Sequence, residues 1–219
     1  MDVSRETAEA VFGAGLPLAE AYAELLRTDG VTRGLIGPRE TDRLWERHLV
    51  NSAAAAEAFP ADGLVADIGA GAGLPGIPLA IARPGLDVRL VEPLLRRATF
   101  LTEVVARLGL TNVEVVRARA EELHGRWTAP TVTARAVAPL GRLAGWCLPL
   151  VSPGGSLVAL KGERAEVELA DAESTLRRLG ATSWSVQEVG HGLVDPPIRL
   201  IRVVAGRPPA PARQGRRPR

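Results

Sequence analysis

The chain has 219 residues, a formal net charge of +2 at pH 7 and a single cysteine, Cys147. This length fits one large domain with a short extension, and one cysteine excludes an internal disulfide framework and a multi-cysteine metal site. No run approaches the roughly 18 consecutive apolar residues of a membrane span, and we expect no secretory signal, so the sequence predicts a cytoplasmic monomer without a membrane or metal partner.

Residues 1–62 are predicted to form a helical N-terminal extension. Apolar residues recur with helical spacing over residues 5–30, and Gly30 is a typical helix stop. Pro38 begins a second helical stretch, which carries one apolar stripe. The residues on or beside this stripe are Leu44, His48, Leu49 and Ser52.

From residue 63 onward, strand and helix patterns alternate. The predicted strands are residues 63–69, 86–92, 112–118, 129–137, 154–162, 183–190 and 198–205, and the predicted helices are residues 75–83, 96–109, 140–151 and 164–180. Repeated strand–helix–strand units indicate a mostly parallel sheet with helices on both faces. The last two strands follow each other directly, which suggests one antiparallel strand. Residues 63–205 are therefore predicted to be one α/β domain.

Glycines are concentrated between the first predicted strand and the first helix of this domain. They are Gly69, Gly71, Gly73 and Gly76. Such a turn lets backbone N–H groups approach a ligand closely, and the spacing also fits the dinucleotide fingerprint. However, Asp67 would repel a pyrophosphate, and Pro75 removes an N–H that would otherwise hold phosphate. A cationic ligand with an amino-acid end fits better, with Asp67 holding its ammonium group indirectly.

The glycine-rich turn follows the carboxyl end of the first predicted strand. Two further positions, at the carboxyl ends of the second and third strands, suggest a nucleoside. Glu92 ends the second predicted strand, and a carboxylate there can accept both hydroxyls of a ribose, in NAD proteins and S-adenosylmethionine proteins alike. Ala120 and Glu121 follow the third strand, where an adenine would lie. Glu121 and Glu122 also fit an ordinary acidic start of a helix.

Two cations end neighbouring strands at this edge. Arg135 ends the fourth predicted strand, and Lys161, the only lysine among 27 basic residues, ends the fifth. Lysine is a compact point charge and arginine a wide fork, so a lone lysine can mark a site that arginine does not fit. Chance is the alternative explanation for Lys161.

Residues 206–219 are predicted to be a disordered basic tail. They hold five arginines and no acid, so the rest of the chain has 22 basic and 25 acidic residues. The tail is either a solvated terminus without a role or an arm that scans a polyanion.

Six segments together resemble a known family. They are DRLWERHLVNS, VADIGAGAGLPGIPLAI, LVEPLLRRATFL, RARAEEL, TARAVAPL and ALKG, in order from about residue 40 to about residue 162. The chain resembles the bacterial ribosomal RNA small subunit methyltransferase G family, also called glucose-inhibited division protein B. The resemblance implies a class I methyltransferase fold, which is a Rossmann-like α/β sheet, with a helical N-terminal extension. It also implies S-adenosylmethionine as cofactor and methylation of a guanine N7 in the decoding-region loop of 16S ribosomal RNA.

The resemblance assigns roles to individual residues. It implies cofactor contacts for Gly69, Leu74, Ala120, Glu121 and Arg135, to which the strand and loop patterns add Asp67, Gly71, Gly73 and Glu92. Arg47, His48 and Lys161 are expected to contact RNA, and Lys161 and Arg135 are the candidate catalytic residues. Glu92 stands where relatives often have aspartate, and the basic tail lies outside the family pattern.

The residues present fit N7 chemistry. Guanine N7 carries an available lone pair at neutral pH, so alignment and electrostatics suffice and no general base is needed. The sequence lacks the Asn/Asp-Pro-Pro-aromatic motif of exocyclic-amine methyltransferases, and Cys147 lies in an apolar helix as a small hydrophobe. Two alternatives stay open: a methyltransferase of a small molecule or protein, which the acidic body of the chain favours, and a non-catalytic nucleotide-binding regulatory module.

Overall fold

The computed structural model describes residues 5–206 and contains one seven-stranded sheet. Its strands are β1 (Gly63–Ile68), β2 (Leu86–Val91), β3 (Val113–Val116), β4 (Ala129–Arg135), β5 (Val151–Lys161), β6 (Ala181–Val189) and β7 (Ile198–Ala205). The order across the sheet is β3-β2-β1-β4-β5-β7-β6, and β7 alone runs in the direction opposite to the other six strands. The predicted alternation and the single antiparallel strand are confirmed.

Helices cover both faces of the sheet. They are α1 (Arg5–Phe12), α2 (Leu16–Leu25), α3 (Asn51–Ala54), α4 (Gly76–Ala82), α5 (Leu95–Leu108), α6 (Ala120–Leu123), α7 (Leu140–Cys147) and α8 (Ala165–Arg178). The N-terminal helices, α4 and α5 share one hydrophobic cluster, while α6, α7 and α8 share the other. Successive residues of a strand divide between the clusters, as Val158 and Ala159 of β5 do, because side chains alternate across a sheet.

The N-terminal segment is less regular than its apolar spacing predicts. The stretches expected as two long helices are interrupted by 3₁₀ turns at Gly13–Gly15, Pro38–Arg43 and Ala55–Ala58 and by π-type turns at Leu26–Gly30 and Leu44–Val50. Pro17 near the start of α2 and Pro38 at the start of its turn explain part of this, because proline has no N–H to donate to the preceding turn. The predicted stripe is confirmed: Leu44, Leu49 and Ser52 are fully buried and His48 is half-buried.

Several element ends differ from prediction by a few residues, most clearly after β3 and before β5. β3 ends at Val116, because α6 begins at Ala120 soon after it. The helix after β4 ends at Cys147, where a 3₁₀ turn containing Pro149 leads into β5. Residues 207–219 of the predicted tail lie outside the described residues. No helix within residues 5–206 is long and apolar enough to span a membrane.

The sheet order creates a switch point between β1 and β4. From β1 the chain proceeds to β2 and β3 on one side, whereas β4 and β5 lie on the other. Ligands of open α/β sheets bind in the crevice beyond the carboxyl ends of the strands at such a point. Asp67 of β1 pairs with Thr133 of β4, so the register brings Arg135 beside the glycine-rich turn that follows β1.

Gly15→Ala tests the packing of the N-terminal helices on α4. A Cβ at Gly15 would lie 2.7 Å from Ile81 Cγ2 and 2.8 Å from the Ile81 carbonyl oxygen. We expect a loss of about 1–3 kcal/mol in the free energy of unfolding, measured by urea titration, because overpacking forces the backbone to move.

Gly145→Ala in α7 is the matched control, because a Cβ there meets nothing within 4 Å. It should raise the free energy of unfolding by roughly 0.4–1 kcal/mol, because alanine lowers the conformational entropy of the unfolded chain. Equal effects of the two substitutions would show that α4 and the N-terminal helices are not in close contact.

Candidate active site

The glycine-rich turn after β1 is held to the end of β2 by one carboxylate. Glu92 is 1% exposed. Its Oε2 accepts the Gly71 N–H at 3.0 Å, and its Oε1 accepts the Leu94 N–H at 2.9 Å. The two segments at the carboxyl ends of β1 and β2 therefore share an anchor, and each oxygen keeps a lone pair for another donor.

The glycines of this turn differ in what they make room for. Gly71 has φ +59°, and a Cβ there would meet only the Gly69 carbonyl oxygen, at 3.7 Å, so the space above it is open. Gly73 has φ +104°, and a Cβ there would lie 2.4 Å from Ile77 Cδ1. Gly71 thus leaves room for a ligand, whereas Gly73 is already required by packing within the protein.

Asp67 lies beneath the same turn and is fully buried. Its Oδ2 accepts the Gly76 N–H at 2.9 Å, while its Oδ1 has no hydrogen-bond partner. Burial raises the pKa of this carboxyl to about 7, and the Gly76 N–H and the positive charge of Arg135 oppose that rise. An unpaired buried carboxylate oxygen is costly, so a nearby cation would stabilise its ionised form.

Tyr22 was not predicted from the sequence as part of the site. This fully buried side chain of α2 donates its hydroxyl to the Ala72 carbonyl oxygen at 2.8 Å. It therefore ties the N-terminal helices to the glycine-rich turn. The available signal was that Tyr22 is the only tyrosine of the chain and lies in an apolar helix, where a buried hydroxyl needs a partner.

Arg135, at the end of β4, points its guanidinium at the N-terminal segment. It donates to the carbonyl oxygen of Arg47 at 3.0 Å, to Ser52 Oγ at 3.0 Å and to His48 Nδ1 at 2.5 Å. Burial lowers its pKa from the usual value for arginine. The contacts made by this guanidinium are to protein groups, so the expected cofactor contact of Arg135 stays a prediction.

Arg47 and His48 are also engaged within the protein. The side chain of Arg47 is exposed and lies 3.3 Å from Glu40 Oε1. His48 is 14% exposed, with Nε2 3.0 Å from Glu40 Oε2 and Nδ1 facing Arg135. Both ring nitrogens of His48 therefore have partners within the protein, and its expected RNA contact stays a prediction.

Lys161 is bound within the protein, and its expected RNA contact and catalytic role stay predictions. Its side chain is 9% exposed. The ammonium donates to the Ala138 carbonyl oxygen at 2.9 Å and lies 2.7 Å from Glu168 Oε2, which also accepts the Leu140 N–H at 3.0 Å. The pair joins the turn after β4 to α7 and α8, so the structure places Lys161 as a support of that turn.

The turn supported by Lys161 has a strained backbone and no titratable side chain. Its residues 136–139 are Ala-Val-Ala-Pro, and Ala136 has φ +53°, which L-residues seldom adopt. Val137 is 36% exposed and lies next to the glycine-rich turn, 3.0 Å from where a Cβ of Gly69 would be. Left-handed non-glycine residues cluster at functional sites.

The remaining predicted residues divide between the edge and the core. Ala120 is 7% exposed and Glu121 is exposed in the first turn of α6, beside the ends of β2 and β3. Cys147 is fully buried and its pKa is raised by burial, which confirms it as a core side chain. Within residues 5–206, no group of three or more histidine, cysteine, aspartate and glutamate side chains is placed to hold a metal.

Comparison with known proteins identifies the family of the chain. Residues 16–195 match the family described as rRNA small subunit methyltransferase G. A relative of that name from Thermobifida fusca is 54% identical over 222 residues, covering 99% of this chain and 94% of the relative. Another relative of that name, from a Nocardioides species, is 56% identical over 210 residues, which cover 93% of this chain and 84% of the relative.

The chain belongs to the rRNA small subunit methyltransferase G family. A solved S-adenosylmethionine-dependent O-methyltransferase from Thermotoga maritima is similar with a TM-score of 0.56 at 16% identity, covering 73% of this chain and 66% of that chain. This likeness confirms the Rossmann-like methyltransferase fold. In the present chain, the glycine-rich turn, Glu92 and the turn after β4 meet at the switch point of the sheet.

Tyr22→Phe tests the link between the N-terminal helices and the glycine-rich turn. Loss of the buried hydrogen bond to Ala72 should cost about 1 kcal/mol of unfolding free energy. It should also speed hydrogen exchange at the amides of Gly73 and Leu74, which donate to the Ala70 carbonyl oxygen at 2.7 and 3.2 Å.

Thr133→Val is the matched control, since Thr133 Oγ1 donates to the Val158 carbonyl oxygen of β5 at 2.8 Å and not to the turn. It should have a similar cost in stability without faster exchange at the turn. If Tyr22→Phe leaves those two amides as protected as in wild type, Tyr22 does not hold the turn.

Proposed function

We propose that this chain transfers a methyl group from S-adenosylmethionine to N7 of a guanine in the decoding-region loop of 16S ribosomal RNA. The observation that carries the proposal is membership of the rRNA small subunit methyltransferase G family over almost the whole chain. Naked RNA and the assembled small subunit are both candidate substrates, and we propose that the protein acts on them as a cytoplasmic monomer.

The domain boundaries are part of this proposal. Residues 1–62 would be the helical extension, residues 63–205 the methyltransferase domain and residues 206–219 a basic tail. Support comes from the last N-terminal turn, which ends at Ala58, before β1 begins at Gly63. The extension also shares a hydrophobic cluster with one face of the sheet, so we expect it to fold together with the domain.

The edge of the sheet fits S-adenosylmethionine, which supplies an electrophilic methyl group when bound. The unpaired Oδ1 of Asp67 favours a cation above the turn, and the open space at Gly71 admits a ligand against the backbone. We propose that the residues holding it are Asp67, Gly69, Gly71, Gly73, Leu74, Glu92, Ala120, Glu121 and Arg135. Glu92 would use its remaining lone pairs for the ribose hydroxyls.

The residues after β4 fit a reaction that needs no general base. Guanine N7 has an in-plane lone pair at neutral pH, so nothing must remove a proton before attack. Residues 136–139 carry no titratable group. We propose that Arg135 is the catalytic cation nearest the reacting atoms, while Lys161 positions residues 136–139. The rate enhancement then comes from alignment and fixed charges.

The family match disfavours the two other candidate functions. A methyltransferase of a small molecule or protein would share the fold, and a regulatory module would share the glycine-rich turn. The relatives over nearly the full chain are named for ribosomal RNA methylation. A steep loss of affinity with added salt would further separate an RNA enzyme from one acting on a small molecule.

The deciding experiment uses labelled S-adenosylmethionine and unmodified 16S RNA. The RNA is supplied both as a transcript and in small subunits from cells without this protein, and its nucleosides are analysed by mass spectrometry. We expect one labelled N7-methylguanosine in the decoding-region loop. Label on another atom, or none on either form of the RNA, would contradict the proposed function.

Gly71→Val should abolish binding of S-adenosylhomocysteine while leaving most of the fold. A branched side chain would occupy the open space above the turn and would strain a backbone with φ +59° by about 1–3 kcal/mol. Calorimetry measures the binding, and circular dichroism measures the fold.

Gly109→Val at the end of α5 is the matched control, because Gly109 has φ +62° and a Cβ there would meet nothing within 4 Å. It should impose similar strain and keep the affinity. Normal binding by Gly71→Val would show that the ligand lies elsewhere.

Lys161→Arg should impair methyl transfer far more than cofactor binding. The site around the ammonium is nearly closed, and a longer, wider head would displace the Ala138 carbonyl and the turn that holds it. A shift of about 1 Å can lower the rate on the order of a hundredfold.

Single-turnover methylation and cofactor titration separate the two effects. Glu168→Gln, which keeps an acceptor for the Leu140 N–H but removes the charge beside Lys161, should lower the rate in the same direction. Wild-type turnover by Lys161→Arg would mean that any cation serves there.

A further inference from the structure

A chain of three side chains runs from the N-terminal segment to the end of β4. Glu40 Oε2 lies 3.0 Å from His48 Nε2, and His48 Nδ1 lies 2.5 Å from an Nη atom of Arg135. A guanidinium can only donate, so His48 Nδ1 must accept, and the ring proton of neutral His48 is on Nε2, from which it is donated to Glu40.

This chain fixes the direction in which Arg135 points. The other groups that accept from the guanidinium are the carbonyl oxygens of Arg47 and His48 and the hydroxyl of Ser52. All of them belong to the same segment as His48. Arg135 therefore has its acceptors on one side, and the His48 ring is the one acceptor among them that can change its protonation state.

We infer that Glu40 and His48 are positioning residues for methyl transfer: Glu40 holds His48 in the tautomer whose Nδ1 orients Arg135 beside the glycine-rich turn. This inference rests on the proposed function, because it gives Arg135 a place at the reacting groups. It adds Glu40 to the candidate site, gives His48 a role within the protein, and gives Arg135 a defined orientation.

The surroundings of His48 favour its neutral ring, chiefly through burial. Burial, followed by the positive charge of Arg135, lowers the pKa of His48 from 6.5, while Glu40 opposes this effect and Arg47 adds to it. Tyr22 and Asp67 also act electrostatically on Arg135, and both raise its pKa. A protonated ring would place an N–H against the guanidinium and remove its acceptor, so acid should displace Arg135.

The sign of the stability effect follows from this lowered pKa. The unfolded chain takes up the proton first, so the free energy of unfolding contributed by His48 falls as pH drops below about 6.5 and levels off below the pKa of the folded protein. Asp67, with a pKa raised to about 7, also titrates near this range. The pH dependence of stability must therefore be compared between wild type and variants of position 48, because Asp67 is present in all of them.

The test replaces His48 by Asn and by Leu. Asn offers an oxygen close to the place of Nδ1 and does not titrate, whereas Leu offers no acceptor. We expect His48→Leu to lower the single-turnover rate on the order of a hundredfold. His48→Asn should recover most of the rate at neutral pH. In wild type the rate should fall at acid pH partly because His48 is protonated, and that part of the fall should be absent in His48→Asn.

A pair of substitutions on the same segment tests Glu40. Glu40→Gln removes the fixed acceptor for Nε2–H, because an amide can also present its donor, and it should lower the rate. Glu46→Gln breaks an exposed ion pair with Arg43, of 3.0 Å, that has no contact with Arg135, and it should leave the rate unchanged.

The outcomes separate this inference from the proposed function. If wild type methylates 16S RNA but His48→Leu is as fast, or His48→Asn is as slow as His48→Leu, the positioning role is wrong. A double-mutant cycle of His48→Leu with Arg135→Gln, read in unfolding free energy, needs no RNA. No coupling there overturns the inference even if methylation is observed, and strong coupling without methylation supports the contact while the proposed function fails.

Discussion

Three charged side chains at the carboxyl edge of the sheet bind backbone groups, and the shape of the edge depends on this. Burying a charge is costly unless it is paired or hydrogen-bonded. Glu92 accepts two backbone N–H groups, Arg135 donates to carbonyl oxygens of the N-terminal segment, and Lys161 donates to the turn after β4. These bonds join segments far apart in the sequence, so the turns around the switch point are fixed before any ligand binds.

An edge built in this way suits a reaction in which position matters more than proton transfer. The turn after β4 contributes backbone and apolar side chains, and the carboxyl of Asp67 lies buried beneath the glycine-rich turn rather than in the open crevice. A nucleophile that already carries a lone pair needs correct distance and angle, which a rigid edge provides. The chemistry proposed for this methyltransferase and the rigidity of its edge therefore agree.

Local patterns in the sequence predicted the parts of the structure that depend on neighbouring residues. Strand alternation located β1 to β7, and the glycine cluster with Glu92 located the two segments that Glu92 joins. The partners of Arg135 lie more than 80 residues away in the sequence, and no periodicity reveals them. Tyr22 and the irregular N-terminal turns were missed for the same reason, since tertiary contacts decide them.

If the edge aligns its substrates without removing a proton, the rate of methyl transfer should not depend on the ionisation of a base. The most direct measurement is the single-turnover rate of methyl transfer at saturating cofactor and RNA, between about pH 8 and about pH 9, above the lowered pKa of His48 and the pKa of about 7 of Asp67. We expect a rate that stays constant across this range. A rate that rises by roughly tenfold per pH unit would reveal an essential general base and would contradict this expectation.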